Sequence, residues 1–179
     1  MTTTQNLLDH RVVKNLLPLP PVNGPKAGDP AIDFALPSVN AAETVRLSHY
    51  QGVQPVVLAF TRIFTEKLFC PYCYPHIHEL NQRYAEIKAA GAELIMVSST
   101  DPQQSQDIVT NLNLAYPLLY DPACTTFRQY GVGQALGAPL PAQFVINTQG
   151  IITFRHLFSF IDGHATTDQI LAELAKLAI

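Results

Sequence analysis

The stretch Phe69-Cys70-Pro71-Tyr72-Cys73 constrains this chain more than any other. Two cysteines separated by two residues can lie on one turn, with their sulfurs close enough to form or break a disulfide. Ahead of them runs Val56-Val57-Leu58-Ala59-Phe60, apolar and of strand length. After them Ile77, Leu80, Tyr84 and Ile87 recur at spacings of three, four and three, the apolar stripe of an amphipathic helix. The cysteines therefore stand where a buried strand feeds a helix, and a C-x-x-C in such a place reads as a redox motif. Pro71 suits the first helical position, where its missing N–H is no loss. Cys70 would then cap the helix, where unsatisfied N–H groups and the helix dipole favour an anion. A thiolate is that anion, and it is the reactive form of cysteine. The reading gives Cys70 the attack and Cys73 the resolution of the mixed disulfide that follows.

A chain of 179 residues, 47% of them hydrophobic, is enough for one domain with a full core. The net charge of −3 and the lack of a basic tract remove electrostatic support for nucleic-acid binding. No apolar run approaches the ~20 residues that span a bilayer. The opening Met1-Thr2-Thr3-Thr4-Gln5-Asn6 has neither the basic nor the long apolar part of a signal peptide, so the expected location is cytoplasmic. Three cysteines do not make a disulfide scaffold.

Residues 1–27 read as an arm and residues 28–179 as one domain. Pro18, Pro20, Pro21, Gly24 and Pro25 interrupt regular structure in the arm, while Leu7, Leu8, Val12, Val13, Leu16 and Leu17 suggest a short docking helix. Phe34 and Leu36, then Val45 and Leu47, alternate with polar neighbours on either side of Ser38-Val39-Asn40, which predicts a β-hairpin. Residues 48–52 predict one helical turn, and Val56 to Phe60 the central strand. The helix after the cysteines should stop at Gly91. Leu94 to Val97 predicts a strand, and Asp101-Pro102 opens a helix with Ile108, Val109 and Leu112 inward. Pro117 to Tyr120 predicts a strand, and Asp121-Pro122 opens a helix ended by Gly131. Gln143 to Ile146 and Ile151 to His156 form a hairpin about Asn147-Thr148-Gln149-Gly150. Thr166 caps the last helix, with Gln169 as its capping-box partner. Helices alternating with strands imply parallel pairs, and the closing hairpin is antiparallel. The fold class is therefore α/β, with a mixed sheet covered by helices on both faces.

Other readings of the same residues stay open. Cys70 and Cys73 could form a structural disulfide, or half a zinc site with His76 and His78. The spacing departs from usual zinc sets, and the two histidines point to different sides of a helix. Both histidines read as solvated, with His76 close enough to tune the cysteines. Pro141, just before a strand, is either a loop proline or one that faces the cysteines and shapes where an extended substrate pairs. Cys124 reads as a small residue in a helix's first turn, with a third redox partner as the alternative. Ile63, Phe64, Leu68 and Phe69 either roof the site or cover core edges. Glu66 and Lys67 read as solvated loop.

These residues resemble the thioredoxin-like superfamily, and within it the peroxiredoxin-like alkyl hydroperoxide reductase/thiol-specific antioxidant family. The likeness is carried by Gly28-Asp29-Pro30-Ala31-Ile32-Asp33-Phe34, by Val57-Leu58-Ala59-Phe60 ahead of the cysteines, by Ala90-Gly91-Ala92-Glu93-Leu94-Ile95, by Leu119-Tyr120-Asp121-Pro122, and by Leu140-Pro141-Ala142-Gln143-Phe144-Val145-Ile146-Asn147. Cys-Pro-Tyr-Cys is also similar to the glutaredoxin active site. The resemblance implies a thioredoxin-like fold with an N-terminal β-hairpin extension, Cys70 as nucleophile and Cys73 as its partner. It further implies that Pro141 is a cis-proline packed against the dithiol, and that Leu140, Pro141, Pro71 and Tyr72 contact substrate. It implies no cofactor beyond the Cys70–Cys73 disulfide, no metal, and an external reductant such as thioredoxin or glutathione. A homodimer is compatible with it. Peroxiredoxins place a proline and a Thr/Ser seven and three residues before the reactive cysteine, and an arginine before the late strand. This chain has Ile63, Lys67 and Pro141 there. The resulting expectation is a thiol–disulfide oxidoreductase. The alternatives are a thiol peroxidase using the same cysteines, or a non-catalytic binding or zinc module. Alkylation rate against pH should inflect below the ~8.5 of free cysteine, and Cys70→Ser should remove the inflection. Survival of the inflection in Cys70→Ser with its loss in Cys73→Ser would reverse the two roles.

Overall fold

The computed structural model describes residues 17, 19–21, 23–41, 44–62, 73–135, 137–159 and 161–177. Cys70, Pro71, Tyr72 and the roof residues 63–69 lie outside these, as does the arm helix expected around Leu7 to Leu17, apart from Leu17 itself.

Strand β3 (Val56–Thr61) is the centre of the molecule, and all six of its residues are buried. It pairs in parallel with β4 (Glu93–Ser98) and antiparallel with β8 (Ala142–Ile146). Strands β5 (Leu118–Tyr120) and β9 (Ile152–Leu157) complete a mixed sheet in the order β5-β4-β3-β8-β9. The expected N-terminal hairpin is β1 (Ala35–Pro37) with β2 (Thr44–Arg46), followed by a 3-10 turn at Leu47–Tyr50.

Both faces of β3 carry apolar side chains, as a sheet covered on both sides requires. Val57 and Ala59 face one core with Ile77 and Leu80 of α1 (Cys73–Gln82), Ile87 of α2 (Tyr84–Ala89), Ile108 of α3 (Pro102–Leu112), and Ile170 and Leu174 of α5 (Thr167–Ala175). Val56, Leu58 and Phe60 face the other core with Phe127 of α4 (Thr125–Gln129), Tyr130, Phe34 and Leu47. Phe60 meets the Phe127 and Tyr130 rings at centroid distances of 4.9 and 5.1 Å. The Tyr130 hydroxyl donates to the Ile32 carbonyl at 2.8 Å, which keeps this large polar tip satisfied inside the core.

The helix signals hold at the starts of α3 and α5. Asp101 and Thr166 each accept from the backbone N–H three residues on, and Gln104 and Gln169 reach back to complete the capping boxes. Two boundaries differ. The helix expected to run from the cysteines to Gly91 breaks at Arg83, whose backbone sits at φ −102°, ψ 12°. At this corner the Arg83 guanidinium holds Glu86 at 2.7 Å and Asp168 on α5 at 2.7 Å, a tie that apolar periodicity cannot reveal. The helix expected to open at Asp121-Pro122 starts only at Thr125, because Cys124 adopts a left-handed backbone at φ 55°. Asp121 still serves it, accepting the Thr126 N–H at 2.7 Å.

The described part of the arm lies along the short hairpin of β6 (Gln134–Ala135) and β7 (Ala138–Pro139). Leu19 and Gln134 exchange two backbone hydrogen bonds of 2.9 Å. Gly24 passes so close to the chain at Tyr130 that a Cβ there would sit 2.1 Å from the Tyr130 carbonyl oxygen. Backbone cannot yield as a side-chain tip does. Gly24→Ala should therefore lower stability by roughly 1–3 kcal/mol, in the range of other overpacking changes, as read from the urea midpoint.

Candidate active site

Strand β3 ends at Thr61, level with Ser98 on β4. Its last pairing on the other side is Phe60 with Ala142, so Pro141 lies one residue past the ladder, at the same edge of the sheet. The next described residue after Arg62 is Cys73, the first of α1. The Cys73 side chain is fully buried in the core shared by α1, α5 and the odd-numbered β3 residues. The antiparallel β3–β8 pairing brings Leu140 and Pro141 to the end of β3 at Phe60 and Thr61.

Leu140 and Pro141 are both buried and held by the backbone. The Leu140 N–H donates to the Gly133 carbonyl, and the Pro141 carbonyl accepts from the Phe158 N–H, each at 3.1 Å. No described peptide bond is cis, so the cis bond expected before Pro141 is corrected to trans. Trans is the default even before proline, by ~0.5–1 kcal/mol, and here the backbone groups on both sides are satisfied in that form.

His76 is a second correction. It is not solvated but buried, at 6% exposure, one turn after Cys73 on the same face of α1. Its ring stacks on His164 at 4.3 Å with an interplanar angle of 10°. His164 is held in turn by Gln143 of β8. The Gln143 amide nitrogen lies 3.1 Å from His164 Nδ1, and its oxygen accepts the Ala165 N–H at 3.1 Å. His156 on β9 is fixed through Nε2 to the Gly163 carbonyl at 3.0 Å. His76 Nε2 is buried without a hydrogen-bond partner, as is Thr61 Oγ1 at the end of β3. Burial, followed by repulsion from His164 and His156, pushes the His76 pKa down to about 3. His78, by contrast, is exposed, with its ring parallel to Tyr74 and Nε2 2.9 Å from the Gln82 amide.

Two further features went unseen in the sequence. Arg62, immediately after β3, is a buried cation whose guanidinium donates to the Ala135 carbonyl. A lone arginine at a strand end carries no motif, so no signal could have flagged it. Gln143 likewise reads as one polar residue in an apolar strand. Its strand partner His156, across the β8–β9 ladder, was the only available hint. Cys124 is buried in the core of the opposite face, its sulfur 3.9 Å from the Pro122 carbonyl. The sheet thus separates it from Cys73. A 130 Å³ pocket lined by Asp33, Ser48, Tyr50 and Asn147 opens at the far end of β3, beside Val56. It lies ~15 Å from Thr61 at the strand's rise per residue.

A central mixed sheet with a cysteine at the start of the helix after its middle strand defines a thioredoxin-like thiol redox protein. The chain belongs to the AhpC/TSA family, whose model matches residues 27–155, and is thus a thiol-based enzyme of the oxidoreductase and peroxidase kind. It is 29% identical over 151 residues to the thiol-disulfide oxidoreductase ResA of Geobacillus kaustophilus, a match covering 84% of this chain and 77% of the relative. It is also 29% identical to peroxiredoxin Bcp of Escherichia coli, over 62% of this chain and 67% of the relative. Among solved structures, peroxidoxin BcpB of Mycobacterium tuberculosis superposes with a TM-score of 0.71 at 26% identity, covering 86% of this chain and 98% of that one.

The buried imidazole has a consequence for stability. Below pH ~6.5 the unfolded chain gains a proton at His76 that the folded chain refuses, so folding weakens as pH falls from 6.5 toward 3. Above 6.5 the residue contributes no pH dependence. Between pH 7 and pH 5 the loss from this group should be ~2 kcal/mol. Urea unfolding at the two pH values should show His76→Phe losing correspondingly less stability than wild type.

Proposed function

We propose that the chain is a thiol–disulfide oxidoreductase in which Cys70 attacks and Cys73 resolves. The observation that carries this reading is Cys73, fully buried at the start of α1, the helix that follows the central strand β3 in the chain. A resolving thiol needs protection from competing reagents and a position one turn from the attacking one. The Cys70 thiolate displaces one sulfur of a substrate disulfide to form a mixed disulfide. Cys73 then displaces the second substrate thiol and closes Cys70–Cys73. An external thiol, such as thioredoxin or glutathione, returns the pair to the dithiol. Leu140 and Pro141, with Pro71 and Tyr72 of the cysteine motif, are the contacts proposed for the partner's extended chain.

A second reading, a thiol peroxidase on the same cysteines, draws on the Bcp-type relatives and on buried Arg62. Peroxide cleavage needs donors placed for both oxygens as the O–O bond breaks. Only groups that favour the transition state over the ground state raise the rate. Ile63 and Lys67 stand where the resemblance places a proline and a hydroxyl donor, and loss of one such donor costs ~10²–10³-fold in comparable sites. Disulfide exchange asks only for a thiolate, a second thiol and a docking edge.

The deciding experiment compares reduction of an insulin-type disulfide with turnover of hydrogen peroxide, for wild type, Cys70→Ser and Cys73→Ser. The expected result is disulfide reduction that Cys70→Ser abolishes, a mixed disulfide trapped in Cys73→Ser, and slow oxidation by peroxide. Fast peroxide turnover with no reduction of the disulfide would make the protein a peroxidase.

A further inference from the structure

Strand β9 is an edge of the sheet, and most of its outer side has no backbone partner among the described residues. Gly28 and Asp29 bond to the Ile152 carbonyl and N–H at its start, and that cover goes no further. The Phe158 N–H donates to the Pro141 carbonyl, so Phe158 turns its backbone toward β8. Backbone groups alternate sides along a strand. His156 and Phe154 therefore also face β8, while Arg155 and Leu157 present their N–H and C=O outward. Proteins usually blunt such an edge with lysine, proline or a covering element. From Ile152 to Leu157 there is no lysine and no proline, and Arg155 is the one arginine. Its side chain is half-buried, with Nε buried and without a hydrogen-bond partner. The nearest carboxylates along the chain and at the start of β9 are engaged elsewhere. Asp29 accepts from the Lys26 N–H, Asp162 from the Ser159 hydroxyl, and Asp168 from Arg83. A guanidinium so placed lacks the acceptor that a partly buried charge calls for.

We propose that the edge of β9 from Arg155 to Leu157 docks an extended, acidic segment of another protein, which adds a strand to the sheet and sets a carboxylate on the Arg155 guanidinium. The unpaired backbone groups select an extended chain, because only a strand offers N–H and C=O groups at matching spacing. The guanidinium selects the side chain, since its planar fork matches a carboxylate. A second copy of this chain fits poorly. Two β9 strands joined antiparallel across Arg155 and Leu157 would set the two arginines opposite or diagonal to each other on one face, where like charges repel. No thiol takes part, so the site stands whether or not the dithiol reading does.

The test titrates the full isotope-labelled chain with two blocked nonapeptides of alternating threonine and valine, one with glutamate at its centre and the other with glutamine. Amide spectra give the affinity, and hydrogen exchange gives the place of binding. The glutamate peptide should bind ~10-fold more tightly than the glutamine peptide, as one charge-assisted pair allows, and should slow exchange at the Arg155 and Leu157 amides. Arg155→Gln should erase the difference between the peptides. Leu157→Pro removes an outward N–H and no bond to β8, so it should weaken both peptides and leave the rest of the spectrum in place. Equal affinity of the two peptides for the wild type overturns the acidic partner, as does a difference that survives Arg155→Gln. Binding that leaves the Arg155 and Leu157 amides unprotected overturns the edge, and absence of binding overturns both. Concentration-dependent self-association that Leu157→Pro abolishes would give the edge to a second copy instead.

Discussion

The two-sided pairing of β3 is the constraint on which the rest of the molecule depends. A strand buried along its whole length must satisfy its backbone groups internally, and β4 and β8 supply the partners. That pairing fixes where the chain can leave the sheet. Ser98 is level with Thr61 on one side, and Ala142 ends the ladder at Phe60 on the other, so β3 ends between them. Crevices at such strand ends are where α/β proteins place their chemistry.

On the face that carries α1 and α5, an apolar core ends in a polar group. Val57, Ala59, Ile77 and Ile170 give way to His76, Gln143, His156 and His164 near the sheet edge. These four side chains come from α1, β8, β9 and the approach to α5. Gln143 ties the group together, with its nitrogen on His164 and its oxygen on the Ala165 N–H. Burying an imidazole is tolerable because it stays neutral, and its depressed pKa expresses that preference.

The sheet also sorts the cysteines. Cys73 belongs to one core and Cys124 to the other, where a left-handed backbone lets it end the turn before α4. The sheet keeps Cys124 in the opposite core from Cys73. The relatives of this chain divide between a thiol-disulfide oxidoreductase and a peroxiredoxin.

Local signals in the chain determined the elements and their order. The apolar run Val56 to Phe60, the stripe Ile77–Leu80–Ile87, and the capping pairs Asp101/Gln104 and Thr166/Gln169 each act within a few residues, so they are readable without a fold. The spacing of Cys70 and Cys73 is local too, and it is what points to the proposed redox pair. Long-range contacts decided the rest. His76 read as solvated because a histidine on a helix is apolar or polar only by what packs on it, and His164 lies 88 residues away in the chain. The Arg83–Asp168 tie joins residues far apart in the chain, as do the backbone hydrogen bonds from Leu140 to Gly133 and from Phe158 to Pro141. Arg62 carried no signal, and Gln143 only the faint one of His156 across the hairpin, since a single polar residue acquires a role only when the tertiary structure brings its partners to it.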